Sequence, residues 1–246
     1  MGKYRLVTRS DMDGLVSAVL LKELDLLNFA PSDENISIKS FKDSFMQTGR
    51  LDSEYYQAKY DELIDHIKKA NFDKLDNIVN IKKSIEPGSE AYQDSGIPFI
   101  RVSNVTKFGI SDTDIYLSRN ILKEEELQKL YPTKDTILLS KDGTVGIAYK
   151  IKNETEMITS GALLHLSIKK DDVLPEYLTL VLNSLIVQLQ AQRDAGGSII
   201  QHWKPSEIQE VLIPIIDISI QNQIEEKIKK SFLLKEESKQ LLDLAK

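Results

Sequence analysis

Thr136-Ile-Leu-Leu-Ser-Lys-Asp-Gly-Thr-Val-Gly-Ile-Ala-Tyr-Lys-Ile151 carries the most fold information in this chain. Its apolar ends flank Asp142-Gly143, a dipeptide that suits a hairpin turn, so it reads as strand, glycine turn, strand. Sixty residues further on, Gly196-Gly-Ser-Ile-Ile-Gln-His-Trp-Lys-Pro-Ser-Glu-Ile-Gln-Glu-Val-Leu-Ile-Pro214 reads as a polar glycine loop, a capped short helix and an apolar strand. Neither segment has the ligand or nucleophile spacing of an enzyme site. Both suit the display of polar side chains from a rigid scaffold, which is how a recognition module works.

Working outward, the apolar spacing gives an α+β chain. Residues 3–8 read as a short strand and residues 15–27 as a helix, with Leu15, Ala18, Val19 and Lys22 at helical spacing. Residues 28–35, with Pro31, form a turn region, and residues 36–41 alternate as a strand does. Residues 51–69 read as a helix, because Tyr55, Tyr56, Tyr60, Leu63, Ile64 and Ile67 recur at three- and four-residue intervals. A strand is expected over residues 75–81 and a long loop over residues 85–96. Residues 97–102 read as a buried strand that sets Phe99 and Arg101 opposite Ile100 and Val102.

Residues 122–131 read as an acidic-started helix ended by Pro132. Residues 157–168 read as one strand with a bulge at Ser160-Gly161. Residues 175–192 read as the strongest central helix, with Pro175 in its first turn and an apolar stripe of Leu178, Val181, Leu182, Leu185 and Leu189. Residues 218–246 contain no Gly or Pro and carry Ile220, Ile224, Ile228, Leu234 and Leu241 among alternating charges. They are expected to form a long amphipathic helix that projects from the core or pairs in a coiled coil. Its expected partner is the helix of residues 51–69 or an equivalent helix of a second protein.

Composition narrows the function classes. At 246 residues the chain can bury a full core, and its 41% hydrophobic and 28% charged content is that of a globular protein. Cysteine is absent, which excludes disulfides and thiolate metal sites and fits a cytoplasmic protein. No run of residues is apolar enough to span a bilayer, so no membrane association is expected. The net charge is -6, and residues 79–217 hold 15 basic and 19 acidic side chains, so no basic block advertises nucleic acid.

From about Arg50 onward the chain resembles a target recognition domain, with its following long helix, of the specificity subunits of type I restriction-modification systems. The stretches that carry the resemblance are Gly96-Ile-Pro-Phe-Ile-Arg-Val-Ser-Asn104, residues 136–149, residues 178–193 and residues 197–214, followed by the long helix. The resemblance implies a mixed-sheet globular domain that lies on double-stranded DNA and reads half of a split target. It implies a helix that spaces two such domains and docks the methyltransferase (modification) subunits, with a restriction/translocase subunit completing the assembly. Members of that family usually carry two recognition domains and two long helices. This sequence shows one of each, so the expected dimer partner is a second copy or another specificity half-subunit.

The opening Thr8-Arg-Ser-Asp-Met-Asp-Gly-Leu-Val-Ser-Ala-Val-Leu-Leu-Lys22 resembles the first strand and helix of the DHH phosphoesterase family. There the aspartates matching Asp11 and Asp13 help hold a metal cluster. The family's later Asp and Asp-His-His motifs have no counterpart, since His66, His165 and His202 stand apart. One carboxylate pair does not build a two-metal hydrolytic site. The expected layout is therefore a fused fragment at residues 1–35, a recognition domain at residues 36–217 and a spacer helix at residues 218–246.

If the domain reads DNA, bases are read by Arg, Lys, Asn, Gln, Ser and Thr on loops and strand ends, and phosphates by Lys, Arg and hydroxyls. Arg101, Ser103 and Asn104 leave a strand for a loop, where the alternatives are DNA contact and structural bonding. Ser140, Lys141 and Thr144 surround a hairpin tip expected to expose donors, and Lys150 ends the second strand. Gln192, Arg193, Ser198, Gln201 and Lys204 border the glycine loop. His202 and Trp203 read more simply as packing residues, and Ser206 as the cap of an acid-rich helix.

Each catalytic reading lacks a constellation, so no cofactor, metal or catalytic residue is expected and catalysis belongs to partner subunits. The sequence leaves two alternatives to DNA specificity: a protein-interaction scaffold, and a metal-dependent phosphoesterase at Asp11 and Asp13.

Overall fold

The computed structural model describes residues 39–196 and 200–244. The strand, helix and turn expected over residues 3–35, with Asp11 and Asp13, lie outside them. The described chain is a mixed α+β body with a long helix at its C-terminal end.

The hairpin is its centre. Ile137–Ser140 pairs antiparallel with Ala148–Lys150 on one side and with Leu163–Ile168 on the other, and Val79–Lys83 completes a four-stranded sheet. All residues of Ile137–Ser140 are buried, which marks a strand covered on both faces. Its two-residue alternation sorts the side chains between two cores. Ile137 and Leu139 enter the largest cluster, with Leu164 and Leu166 from the neighbouring strand. Leu138 and Leu163 point the other way, into a cluster with Ile100, Val105, Ile151 and Met157.

A second four-stranded sheet lies beyond that opposite face. Its order is Ile158–Thr159, Ile97–Ile100, Tyr116–Leu117 and Tyr92–Gln93, with the first pair parallel and the others antiparallel. Phe99 and Ile100 are both buried because each face of their strand meets a different cluster. The helix Glu124–Leu130 contributes Leu127 and Leu130 to the Phe99 cluster.

Several elements differ from their sequence reading. The helix expected over residues 51–69 spans only Ala58–Ile67, and Tyr55 and Tyr56 lie in the preceding turn. Residues 39–41 are not strand. Leu75–Ile78 is a short helix before the strand Val79–Lys83, and Asp73 stabilises that switch by accepting from Asn77 at 2.7 Å. Residues 157–168 divide at Ser160 into strands of two different sheets.

The central helix also breaks, into Pro175–Asn183 and Leu185–Ala195. Asn183 holds both the carbonyl and the N–H of Ala148, and the Ser184 hydroxyl donates to the Val181 carbonyl at 2.6 Å. Ser184 is thus extended, and Leu185 leaves the apolar stripe for solvent.

The helix Ile218–Leu244 is 27 residues long, roughly 40 Å at the α-helical rise. Its partner within the chain is the helix Pro175–Asn183, not the helix of residues 58–67. Gln221 anchors it: fully buried, it accepts from Leu174 N–H at 2.9 Å and donates to the carbonyls of Asp172 and Ile216. Ile224 is buried, with Ile220 and Ile228 packed beside it. Leu233, Leu234, Leu241, Leu242 and Leu244 are exposed, so of the expected packing face Leu234 and Leu241 make no core contact.

Candidate nucleic-acid interface

The two segments from which the sequence reading began meet in space. Residues 142–143 pair antiparallel with Gln201–His202, setting Asp142 opposite His202 and Gly143 opposite Gln201. Asp142-Gly143 is therefore not a two-residue hairpin turn. The connection runs over residues 141–147, because the backbone of residues 141–143 runs alongside the second segment.

Ser140 closes this wide loop. Its hydroxyl accepts from Ile147 N–H at 2.8 Å and its carbonyl accepts from Gly146 N–H at 2.9 Å. Gly143 and Gly146 both lie in the left-handed region, at φ 74° and 82°. Gln188, on the helix Leu185–Ala195, donates to the Gly146 carbonyl at 2.8 Å and ties the loop to the core. Trp203, with 0% exposure, donates its backbone N–H to the Lys141 carbonyl at 2.7 Å. These bonds hold both segments from below.

A second cluster lies at the C-terminal end of the helix Leu185–Ala195. Arg50 forks onto Asp52 through Nε and Nη2, and its Nη1 donates to the Asp194 carbonyl at 2.8 Å. Tyr55 has the guanidinium groups of Arg50 and Arg193 over its ring, at 4.5 and 5.3 Å. Arg193 donates from Nε to Asp194 at 2.7 Å. Burial raises the Asp194 carboxyl above the usual range even against the Arg193 bond. The Trp203 indole nitrogen lies close enough to favour the Asp194 charge, but it makes no hydrogen bond of full geometry among the described residues.

The expected contact residues divide. Ser140 and Lys141 are buried, which corrects the expectation that the hairpin tip exposes them; Thr144 is exposed. The Lys141 ammonium pairs with Asp142. Lys150 lies 2.7 Å from Asp135 and 2.6 Å from buried Glu176. Burial works against its charge, yet the two carboxylates hold it above the ordinary lysine value. Asn104 is buried, its Oδ1 accepting from Arg101 N–H at 3.0 Å and its Nδ2 donating to the Asp112 carbonyl at 3.1 Å. Arg101 lies 3.8 Å from Asp114, beside exposed Ser103.

Gln192 is exposed and Gln201 half-buried, while Ser198 lies outside the described residues. Lys204 is exposed, 3.4 Å from Glu207. It also occupies the N-cap of the helix Pro205–Gln209, with Glu207 accepting from its N–H, so Ser206 is not the cap. Arg50, Tyr55, Asp142 and Asp194 were not among the candidate site residues of the sequence reading. The adjacent opposite charges of Arg193-Asp194 and Lys141-Asp142 were the available signal. Among the described residues no group of His, Asp or Glu is placed to hold a metal ion.

Residues 55–243 match the family described as Type I restriction modification DNA specificity domain. Among solved structures, the chain is similar to the S subunit of a type I restriction-modification system from M. genitalium, with 16% identity over 72% of this chain and 41% of that one, at a TM-score of 0.46. It is similar to the HsdS subunit from Thermoanaerobacter tengcongensis, with 17% identity over 70% and 44% of the two chains and a TM-score of 0.46. A structure described for complex assembly and conformational transition of the type I R-M system gives 13% identity, coverage of 94% and 49%, and a TM-score of 0.49. The chain spans less than half the length of each. No curated protein matches it.

Proposed function

The chain belongs to the family of type I restriction modification DNA specificity domains, and from that premise we propose that it is the sequence-reading part of a type I restriction-modification assembly, without chemistry of its own. The observation that carries this reading is the extent of the family match, which takes in the hairpin, the glycine loop and the long helix together.

In this reading the unit reads one half of a split target in double-stranded DNA. A second unit, in another copy of this chain or another specificity half-subunit, reads the other half. Exposed Ser103, Thr144 and Gln192, half-buried Gln201, and the exposed parts of Arg101 and Lys204 face the duplex. Buried Asn104, Ser140 and Lys141, and the ion-paired Lys150 and Arg193, hold the scaffold.

Electrostatics favour a shared task. Arg101, Lys141, Lys150, Arg193 and Lys204 each have a carboxylate within 4.0 Å, and the chain carries a net charge of -6. Phosphate attraction, which dominates DNA affinity, is therefore supplied largely by the modification and restriction/translocase subunits. The exposed leucines of the distal helix support docking of a modification subunit there.

The test is selection from a random duplex pool by the chain bound to its cognate methyltransferase, followed by methylation mapping. A reproducible split motif is expected. Methyltransferase binding with no sequence preference would leave an interaction scaffold instead.

A further inference from the structure

We propose that His202 is a base-reading residue, held for that task by Asp142 and Lys141. The inference rests on the DNA-specificity reading above and assigns a residue within the same surface.

Strand pairing sets His202 opposite Asp142, and the imidazole Nδ1 meets one carboxylate oxygen. The other oxygen takes the ammonium of Lys141, whose side chain is 6% exposed. A carboxylate only accepts hydrogen bonds, so Nδ1 carries a proton, and in the neutral imidazole that tautomer makes Nε2 the acceptor. The His202 side chain is 57% exposed. Its backbone is fixed by the neighbouring Trp203, which is fully buried and bonded to the Lys141 carbonyl. An exposed ring is thus held in one tautomer on an anchored strand.

The buried lysine explains how the carboxylate sits on a DNA-facing edge. Its charge offsets that of Asp142, which would otherwise repel phosphate. His165 shows the contrasting use of the same side chain: it is buried, and its Nε2 is already bonded to Thr159 at 2.8 Å. In the major groove an acceptor such as Nε2 pairs with an exocyclic amino group, that of adenine N6 or cytosine N4. His202 is accordingly a specificity-determining contact, and Asp142 and Lys141 are positioning residues.

The experiment repeats the duplex selection with the chain and its methyltransferase, comparing wild type with His202→Ala and Asp142→Asn. Loss of about tenfold discrimination at one motif position is expected for His202→Ala, with the other positions kept. Asp142→Asn should relax the same position without reaching the DNA itself. The dependence of affinity on salt should keep its slope, because no phosphate contact is lost.

A wild-type motif selected by His202→Ala overturns the proposal. So does uniform weakening with a shallower salt slope, which would mark a phosphate contact. Should Asp142→Asn fail to fold, nitrogen-15 resonances of the wild-type ring decide the matter, since the chain has three histidines and His202→Ala assigns the signal. Addition of the selected duplex should shift Nε2 while Nδ1 stays protonated, and an unmoved Nε2 overturns the assignment. A wild-type complex that selects no motif fails the parent reading and removes this one with it.

Discussion

His165 shows what a single residue gains from its position in the fold. It lies between Leu164 and Leu166, and strand alternation turns it to the face opposite theirs, where it meets Thr159. Burial first, and then the charge of Lys82, push its pKa down to about 4. The folded state therefore keeps the ring neutral while the unfolded chain takes up a proton near pH 6.5. Stability from this site is full above that value and is lost as pH falls toward 4, by about 3 kcal/mol across the window. Denaturant unfolding between pH 4 and 7 should show that decline, and His165→Gln should flatten it relative to wild type. Equal slopes in the two proteins would remove His165 as the cause. The charged candidates teach a related lesson: Lys150 and Arg193 are polar in sequence, but Glu176 and Asp194 already engage them. Lys150 meets Glu176 from another chain segment, which no local pattern records, whereas Arg193 pairs with its neighbour in sequence.

Among the elements, those with long uninterrupted patterns were the most legible. The helices Glu124–Leu130 and Ile218–Leu244 lie within the expected spans, and the strands Ile137–Ser140 and Ala148–Lys150 pair antiparallel as expected, though through a wider loop than Asp142-Gly143. The break at Ser184 was illegible, because it depends on Asn183 capturing the backbone of Ala148 from a different element. Leu75–Ile78 was misread because a short apolar run suits a buried strand as well as a helical turn. The hairpin loop yields a prediction at this scale. Gly146 has φ 82°, and a Cβ there would lie 2.7 Å from Nε2 of Gln188. Gly146→Ala should cost about 2 kcal/mol, from left-handed backbone strain together with displacement of Gln188. Gly143 shares the conformation but faces open space; Gly143→Ala should cost about 1 kcal/mol, from the backbone only. Unfolding midpoints of the two variants check the order, and equal costs would mean that the Gln188 contact contributes nothing.

At the scale of the whole molecule, the described body is three apolar clusters on and between two four-stranded sheets, with a long helix packed on it through Gln221 and Ile224. Lys152 lies 3.3 Å over the ring of Phe232, and Lys235 5.3 Å over Phe108, so two cation-π contacts link body and helix beyond Ile228. The exposed leucines further along add little to the stability of the isolated chain. Replacing Leu234 and Leu241 together by Glu should change its unfolding free energy by no more than about 0.5 kcal/mol. The same variant should lose co-purification with the methyltransferase if the distal helix is its docking face, and retained binding would place that face elsewhere. Local pattern was enough for the α+β class, the strands of the hairpin and the long helix, because periodicity and turn chemistry are local. Tertiary contacts set the pairing of residues 142–143 with Gln201–His202, the inward turn of the Ser140 and Lys141 side chains, and the outward face of His202 on Asp142. Those outcomes follow from contacts between segments sixty residues apart, whose pairing depends on burial and hydrogen-bond satisfaction that no local pattern records.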